Sequence, residues 1–182
     1  IRPVFEDAHF VQRYLLASPL RLVAFDDEAK YLYRRRADGS STLQTSGVDA
    51  RRYTDVLRFG LLDLLERADR AGQVPRWLQN VILYDLFWVL RSEESLAPKT
   101  GHLSAATADE FVELMMRIRR LINTEAIEAF DIIHVSLTQR ETMLHGFSGG
   151  NWSWDMVQAE EFDEKRNLVK LRYHFTGALP EE

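Results

Sequence analysis

The chain has 182 residues, 46% of them apolar, a formal net charge of −5 at neutral pH and no cysteine. That much apolar material supports a real core. The negative charge gives no general pull toward nucleic acid or anionic lipid, and the absence of thiols excludes disulfides and thiolate metal sites.

Residues 6–17 carry Ala8, Phe10, Val11, Tyr14 and Leu15 at helical spacing, with Glu6 and Asp7 in the first turn, where the helix dipole favours negative charge. LRLVAF and AKYLYRRR follow, two short segments of strand-like composition joined by Asp26, Asp27 and Glu28, and ADGSSTLQTSG reads as a loop. From Arg51 the period becomes helical: Tyr53, Val56, Leu57, Leu61, Leu64, Leu65 and Ala68 mark one amphipathic helix closed by Ala71-Gly72. Pro75 suits the first position of a second helix, in which Trp77 to Leu90 leave almost no polar face, so this helix is expected at the centre of a bundle with Trp88 buried. A third helix is expected from about Thr107 or Ala108 to Ile122, with shorter helical pieces in EAIEAFDIIHVSL and RETMLHGF. After Gly149-Gly150 the period falls to two, through Trp152, Trp154 and Met156, and again through Val169, Leu171, Tyr173 and Phe175. This is the pattern of half-buried strands around the DEKRN turn. No apolar run is long and uninterrupted enough to span a bilayer, and the N-terminus lacks the layout of a signal peptide.

An acidic pair in a first helical turn is ordinary by itself. Here it stands in FEDAHFVQRYLL, and about fifteen residues later comes YLYRRRADGSS. Together these resemble the last third of the catalytic domain of family 2 glycosyltransferases, inverting enzymes of the GT-A fold. There a Glu-Asp pair with an aromatic three residues after the aspartate precedes a tyrosine-arginine segment. The matching residues are Glu6, Asp7 and Phe10, then Tyr31, Tyr33, Arg34, Arg36, Ser40 and Ser41. GQVPRWLQNVILYDLFWVL and the alternating stretch after it look like the helical region of bacterial teichoic acid or capsule enzymes, in which such a transferase is joined to a CDP-glycerol glycerophosphotransferase-like domain.

The periodicities and the resemblance together give a mainly α chain in three expected parts: residues 1–48, which the resemblance implies end a GT-A domain with its last helix and short strands, 49–148 a helical bundle, and 149–182 a hairpin opening a small β-module. It implies transfer of a sugar from a nucleotide-sugar donor to a hydroxyl of a cell-surface polymer. Asp7 would be the base that takes the hydroxyl proton, because a single displacement needs one positioned carboxylate. Glu6 would orient the loop or the acceptor, and His9 would stand at the same mouth or be structural. Arg34 and Arg36 would meet phosphate, with Arg35 on the other side of the strand, although a surface run paired with Asp26, Asp27 and Glu28 explains the same cluster. A divalent metal, Mg or Mn, is expected in the full-length enzyme through a D-x-D motif that this sequence lacks, so the chain alone should be inactive. A cytoplasmic location, or a peripheral one at the inner face of the membrane, follows. The other reading is a non-catalytic helical interaction or spacer module. Asp85 is expected to be structural, partnered by Arg117 or Arg119 if buried, and Trp77, Trp88, Trp152 and Trp154 to be core.

Overall fold

The structure, a computed structural model, describes residues 5–20, 22–24, 26–30, 49–93, 103–149 and 156–174. The chain divides at Gly149 into two units. The first is helical. Helix α1, Glu6–Ala17, starts from Phe5, whose backbone is left-handed (φ 73°). A 3₁₀ turn, Ala50–Arg52, and π-helical turns, Leu57–Leu62, lead into α2, Asp63–Arg70. Gly72 (φ 105°) ends it, as the Ala-Gly pair predicts. Helix α3, Arg76–Glu93, begins one residue after Pro75, whose carbonyl accepts the Leu78 and Gln79 N–H groups.

Helix α4, Ala105–Arg120, starts two residues before Thr107, because Ser104 is a true N-cap and its Oγ accepts the Thr107 N–H at 3.1 Å. The shorter α5, Thr124–Glu128, and α6, Leu137–Glu141, follow, with further π turns at Thr142–Gly146. Short helices are weak by propensity, and these two are tied by side chains. Arg140 donates to the carbonyls of Ile127, Glu128 and Phe130, closing the end of α5. Ser136 and Gln139 form a reciprocal capping box on α6.

The core joins Leu61, Leu64 and Leu65 of the second helical segment, Leu78, Ile82, Leu86 and Phe87 of α3, Leu114 and Ile118 of α4, and Ile127 and Phe130 beyond. Phe87 and Phe130 meet with ring centroids 5.1 Å apart. Buried Gln79 spans the bundle, donating to the Val74 carbonyl at 2.9 Å and accepting the Asn123 N–H at 2.8 Å.

Helix α3 is central but not covered all round. Tyr84 and Trp88 lie on an exposed edge, with Trp88 42% accessible, where the sequence predicts a buried Trp88. Neighbouring helices cover the Leu78, Ile82, Leu86 side. Position 88 is left to Tyr84, edge-on at 6.3 Å, and to the Arg91 guanidinium, 5.3 Å from its ring. Of the two early strand segments, LRLVAF and AKYLYRRR, the described residues 20, 22–24 and 29–30 form no strand, and no partner strand meets them among the described residues. Residues 31–36 lie outside the described residues.

The second unit is an antiparallel hairpin, β1 (Met156–Asp163) with β2 (Leu168–His174), so the chain is mainly α with a small β-module. A register shift between Ala159 and Glu161 sets Glu160 off the ladder, where its carboxylate takes both Lys170 (2.9 Å) and Arg172 (2.5 Å). Asp163 accepts the Lys165 and Arg166 N–H groups in the turn, and Asn167 supplies a left-handed residue. Val169, Leu171 and Tyr173 are exposed, whereas the alternation predicts them half-buried, and Val157 and Phe162 are exposed as well; among the described residues the two-stranded sheet has no second layer to cover them.

Candidate functional site

Helix α1 carries the acidic pair, and its seat on the bundle decides where those acids point. Its buried residues are His9 and Gln12, with Phe5 and Leu16 packed partly against the core. At 100° per residue, positions 5, 9, 12 and 16 form one face. Phe5 sits directly on Gly60, where an added Cβ would stand 2.7 Å from the Phe5 ring, so only glycine admits this approach. Gly60 lies within π-helical turns, a local widening often found at functional positions.

His9 makes the polar anchor. Its Nε2 lies 2.9 Å from Asp63 Oδ2, and because a carboxylate only accepts, Nε2 carries the proton. Arg67 Nε donates to the same oxygen at 2.8 Å. Burial opposes the charge on Asp63, but the hydrogen bonds from Arg67 and His9 outweigh it and hold the carboxyl below its ordinary value. His9 is thus turned into the bundle, about 200° around the helix from Asp7.

The opposite face is open. Asp7, Phe10, Val11 and Tyr14, at i, i+3, i+4 and i+7, stand together in solvent, with Phe10 70% and Tyr14 65% accessible. The apolar stripe read from the sequence therefore faces outward, since Phe5 on Gly60 and His9 on Asp63 have fixed the helix the other way round. Asp7 Oδ1 accepts the Ala8 N–H at 2.7 Å, which leaves Oδ2 with no partner among the described residues. Glu6 is exposed beside it. The arrangement offers a solvent-facing carboxylate above an aromatic and aliphatic platform. Val11 and Tyr14 were not singled out as site residues from the sequence, although their spacing from Asp7 was the available signal.

Arg34 and Arg36 lie outside the described residues, as do Trp152 and Trp154. Asp85 is partly exposed, and its partner is not the one expected. Arg117 pairs with Glu66 at 2.7 Å, and Arg119 donates to the Ile122 carbonyl and Thr124. Burial instead pushes the Asp85 carboxyl up to about 6, against a weaker pull from Arg52. Burial also raises Tyr53, to about 12, with a hydrogen bond to Glu93 adding to it at 2.9 Å. Among the described residues no group of three or more His, Asp and Glu side chains is placed to hold a metal ion, and no helix is long and apolar enough to cross a membrane.

The chain is similar to the minor teichoic acid biosynthesis protein GgaB of Bacillus subtilis strain 168, at 26% identity over 162 residues. The match takes in 86% of this chain and 17% of that protein, so the chain spans about a sixth of the length of the curated relative it matches. No family model and no solved structure matches the chain.

Proposed function

We propose that this chain is part of an inverting glycosyltransferase that builds a teichoic-acid-type or capsule-type cell-surface polymer, with Asp7 as its general base. The observation that carries this reading is the outward face of α1, which sets an unencumbered carboxylate oxygen beside Phe10, Val11 and Tyr14. The similarity to a teichoic acid biosynthesis protein supports the polymer class, and the order of FEDAHF and YLYRRR supports the transfer chemistry.

In this reaction the acceptor hydroxyl oxygen forms a bond to the anomeric carbon as the bond to the nucleoside diphosphate breaks, and the hydroxyl proton passes to the Asp7 carboxylate. The aromatic face of Phe10 or Tyr14 stacks on an acceptor sugar, and Glu6 hydrogen-bonds to it. His9 positions the helix through Asp63, and Arg34 and Arg36 meet the departing phosphates. The described residues do not fit the divalent metal that the resemblance implies, and no step is assigned to one.

The left-handed Phe5 immediately before the pair agrees with this reading, because strained backbone persists where surrounding contacts enforce it and clusters at active sites. In the full-length protein, Asp7→Asn should lower transfer by about a hundredfold to ten-thousandfold while donor binding stays nearly intact. Retention of more than about a third of the rate removes Asp7 from the role of base, since a positioned base contributes far more than that.

A second reading, a non-catalytic helical interaction module, draws on the exposed Tyr84 and Trp88 edge of α3. It predicts that Asp7→Asn changes nothing and that Trp88→Ala abolishes binding to a partner domain.

A further inference from the structure

Between the C-terminal half of α1 and the end of α2 lies an open groove of about 690 Å³. Arg13, Arg67 and Arg70 line it over apolar surface from Leu16, Ala68 and Pro75, and none of its lining residues is acidic. We infer that this groove holds the phosphodiester groups of a polyanionic polymer. The anion chemistry follows from the groove itself, whereas the choice of a polymer rests on the function proposed above.

The three cations are under-neutralised. Arg67 gives only its Nε to Asp63, so its two terminal nitrogens have no acid partner among the described residues. Arg70 stands 4.0 Å from Glu66, whose other oxygen is held by Arg117 at 2.7 Å. Arg13 makes no ion pair among the described residues, although the chain carries 28 acids to 23 Lys and Arg. Arginines in the last turn of a helix interact well with its dipole, which accounts for Arg67 and Arg70. It does not account for Arg13, which comes from a different helix and lines the same concavity. Guanidinium groups around one cavity repel each other unless an anion joins them, and their planar donor forks match phosphate oxygens.

The shape selects the source of the phosphate. A bilayer presents phosphates on a broad surface, whereas this groove is concave and of a size that accepts a single chain, with apolar contact for the carbon backbone between phosphates. Arg13 lies six residues after Asp7, about 9 Å along the helix axis. It is also about 120° around the helix from Asp7, so a polymer held in the groove meets the Asp7 face only by passing round α1.

The test titrates a fluorescent synthetic glycerol-phosphate oligomer into the 182-residue chain and into Arg13→Glu and Arg70→Glu. Dextran and phosphatidylglycerol vesicles are run in parallel. The expected result is binding of the oligomer that weakens with salt, a loss of about tenfold for each variant, and none for dextran. Both arginines are exposed, so melting should not change. If either reversal unfolds the chain, Arg13→Gln and Arg70→Gln should show the same direction of loss. The inference is overturned if the parent does not bind the oligomer, if the variants bind it as the parent does, or if vesicles bind and the oligomer does not. Arginine-dependent binding of the oligomer, together with transfer by the full-length protein that survives Asp7→Asn, keeps the groove and removes only the base; loss of transfer on Asp7→Asn with binding that ignores Arg13 and Arg70 removes only the groove.

Discussion

Helices α1 and α3 carry apolar side chains in similar proportion and use them in opposite ways. Helix α3 turns Leu78, Ile82, Leu83, Leu86 and Phe87 inward until none is accessible. Helix α1 buries a histidine and a glutamine and leaves Phe10, Val11 and Tyr14 outside. An apolar stripe tells which residues avoid water, but a helix with a strong polar anchor and one aromatic seat can be oriented by those instead. The helix that buries its apolar groups holds the fold. The one that exposes them is the candidate for recognition.

The sharpest test of that contrast is Phe87→Ala. It empties a fully buried site against Phe130 and should cost about 3–5 kcal/mol in urea unfolding. Phe10→Ala, by comparison, should leave the midpoint almost unchanged, and a large loss there would mean that the open face of α1 is packed. Next in size is Gly60→Ala. The new methyl meets the Phe5 ring at 2.7 Å, and displacing that ring should cost about 1–3 kcal/mol and loosen α1. Hydrogen exchange should then rise in Glu6–Ala17 and stay low in Arg76–Glu93. Equal loosening of both helices would show that α1 is not held as a separate element.

Asp85 gives a smaller effect with a defined pH window. Its carboxyl titrates near 6 in the folded chain and at 3.8 when solvated, so between those values the folded state binds more protons than the unfolded one. Stability contributed by this site therefore falls as pH rises from about 4 to 6 and stays reduced above. Asp85→Asn should stabilise the chain by about 1–3 kcal/mol at pH 7.5, with the gain shrinking as the pH approaches 4. A variant less stable than the parent at pH 7.5 would mean that the ionised carboxylate has a favourable partner.

The helices, their stops and the hairpin were legible because each is marked by local chemistry: Gly72 past a periodic stretch, Pro75 before another, and the period of two around DEKRN. The third helix starts at Ala105, ahead of the expected Thr107 or Ala108, because the Ser104 cap was not read from the sequence. The rest depended on contacts between distant residues. Nothing near His9 announces that Asp63 will receive it, 54 positions on. Nor does anything near Arg117 announce its pairing with Glu66 rather than Asp85. The aspartate and aromatic of the candidate site could be seen in FEDAHF, but which way they face came from Gly60. The arginine groove had no sequence signature, because Arg13 and Arg70 meet only once α1 is docked.

A smaller change again is expected from Trp88→Ala, and it bears most directly on what α3 is for. For a fully buried tryptophan the substitution would cost about 3–5 kcal/mol. Trp88 is 42% accessible, and its neighbours Tyr84 and Arg91 are surface groups on the same helix. What is lost is one edge-to-face contact and one exposed cation–π contact, each about 1 kcal/mol or less, and both partners regain hydration when the ring is removed. The midpoint should therefore shift by no more than about 1 kcal/mol. Acrylamide should quench the fluorescence that Trp88→Phe removes more readily than the fluorescence that Trp77→Phe removes, since the partly buried Trp77 is better shielded. If the alanine variant loses as much stability as Phe87→Ala, α3 is enclosed after all, and the difference between the two helices lies only in α1. If it melts like the parent but fails to bind a neighbouring domain, the exposed edge of α3 is a contact surface, and a helix can hold the fold on one side while recognising a partner on the other.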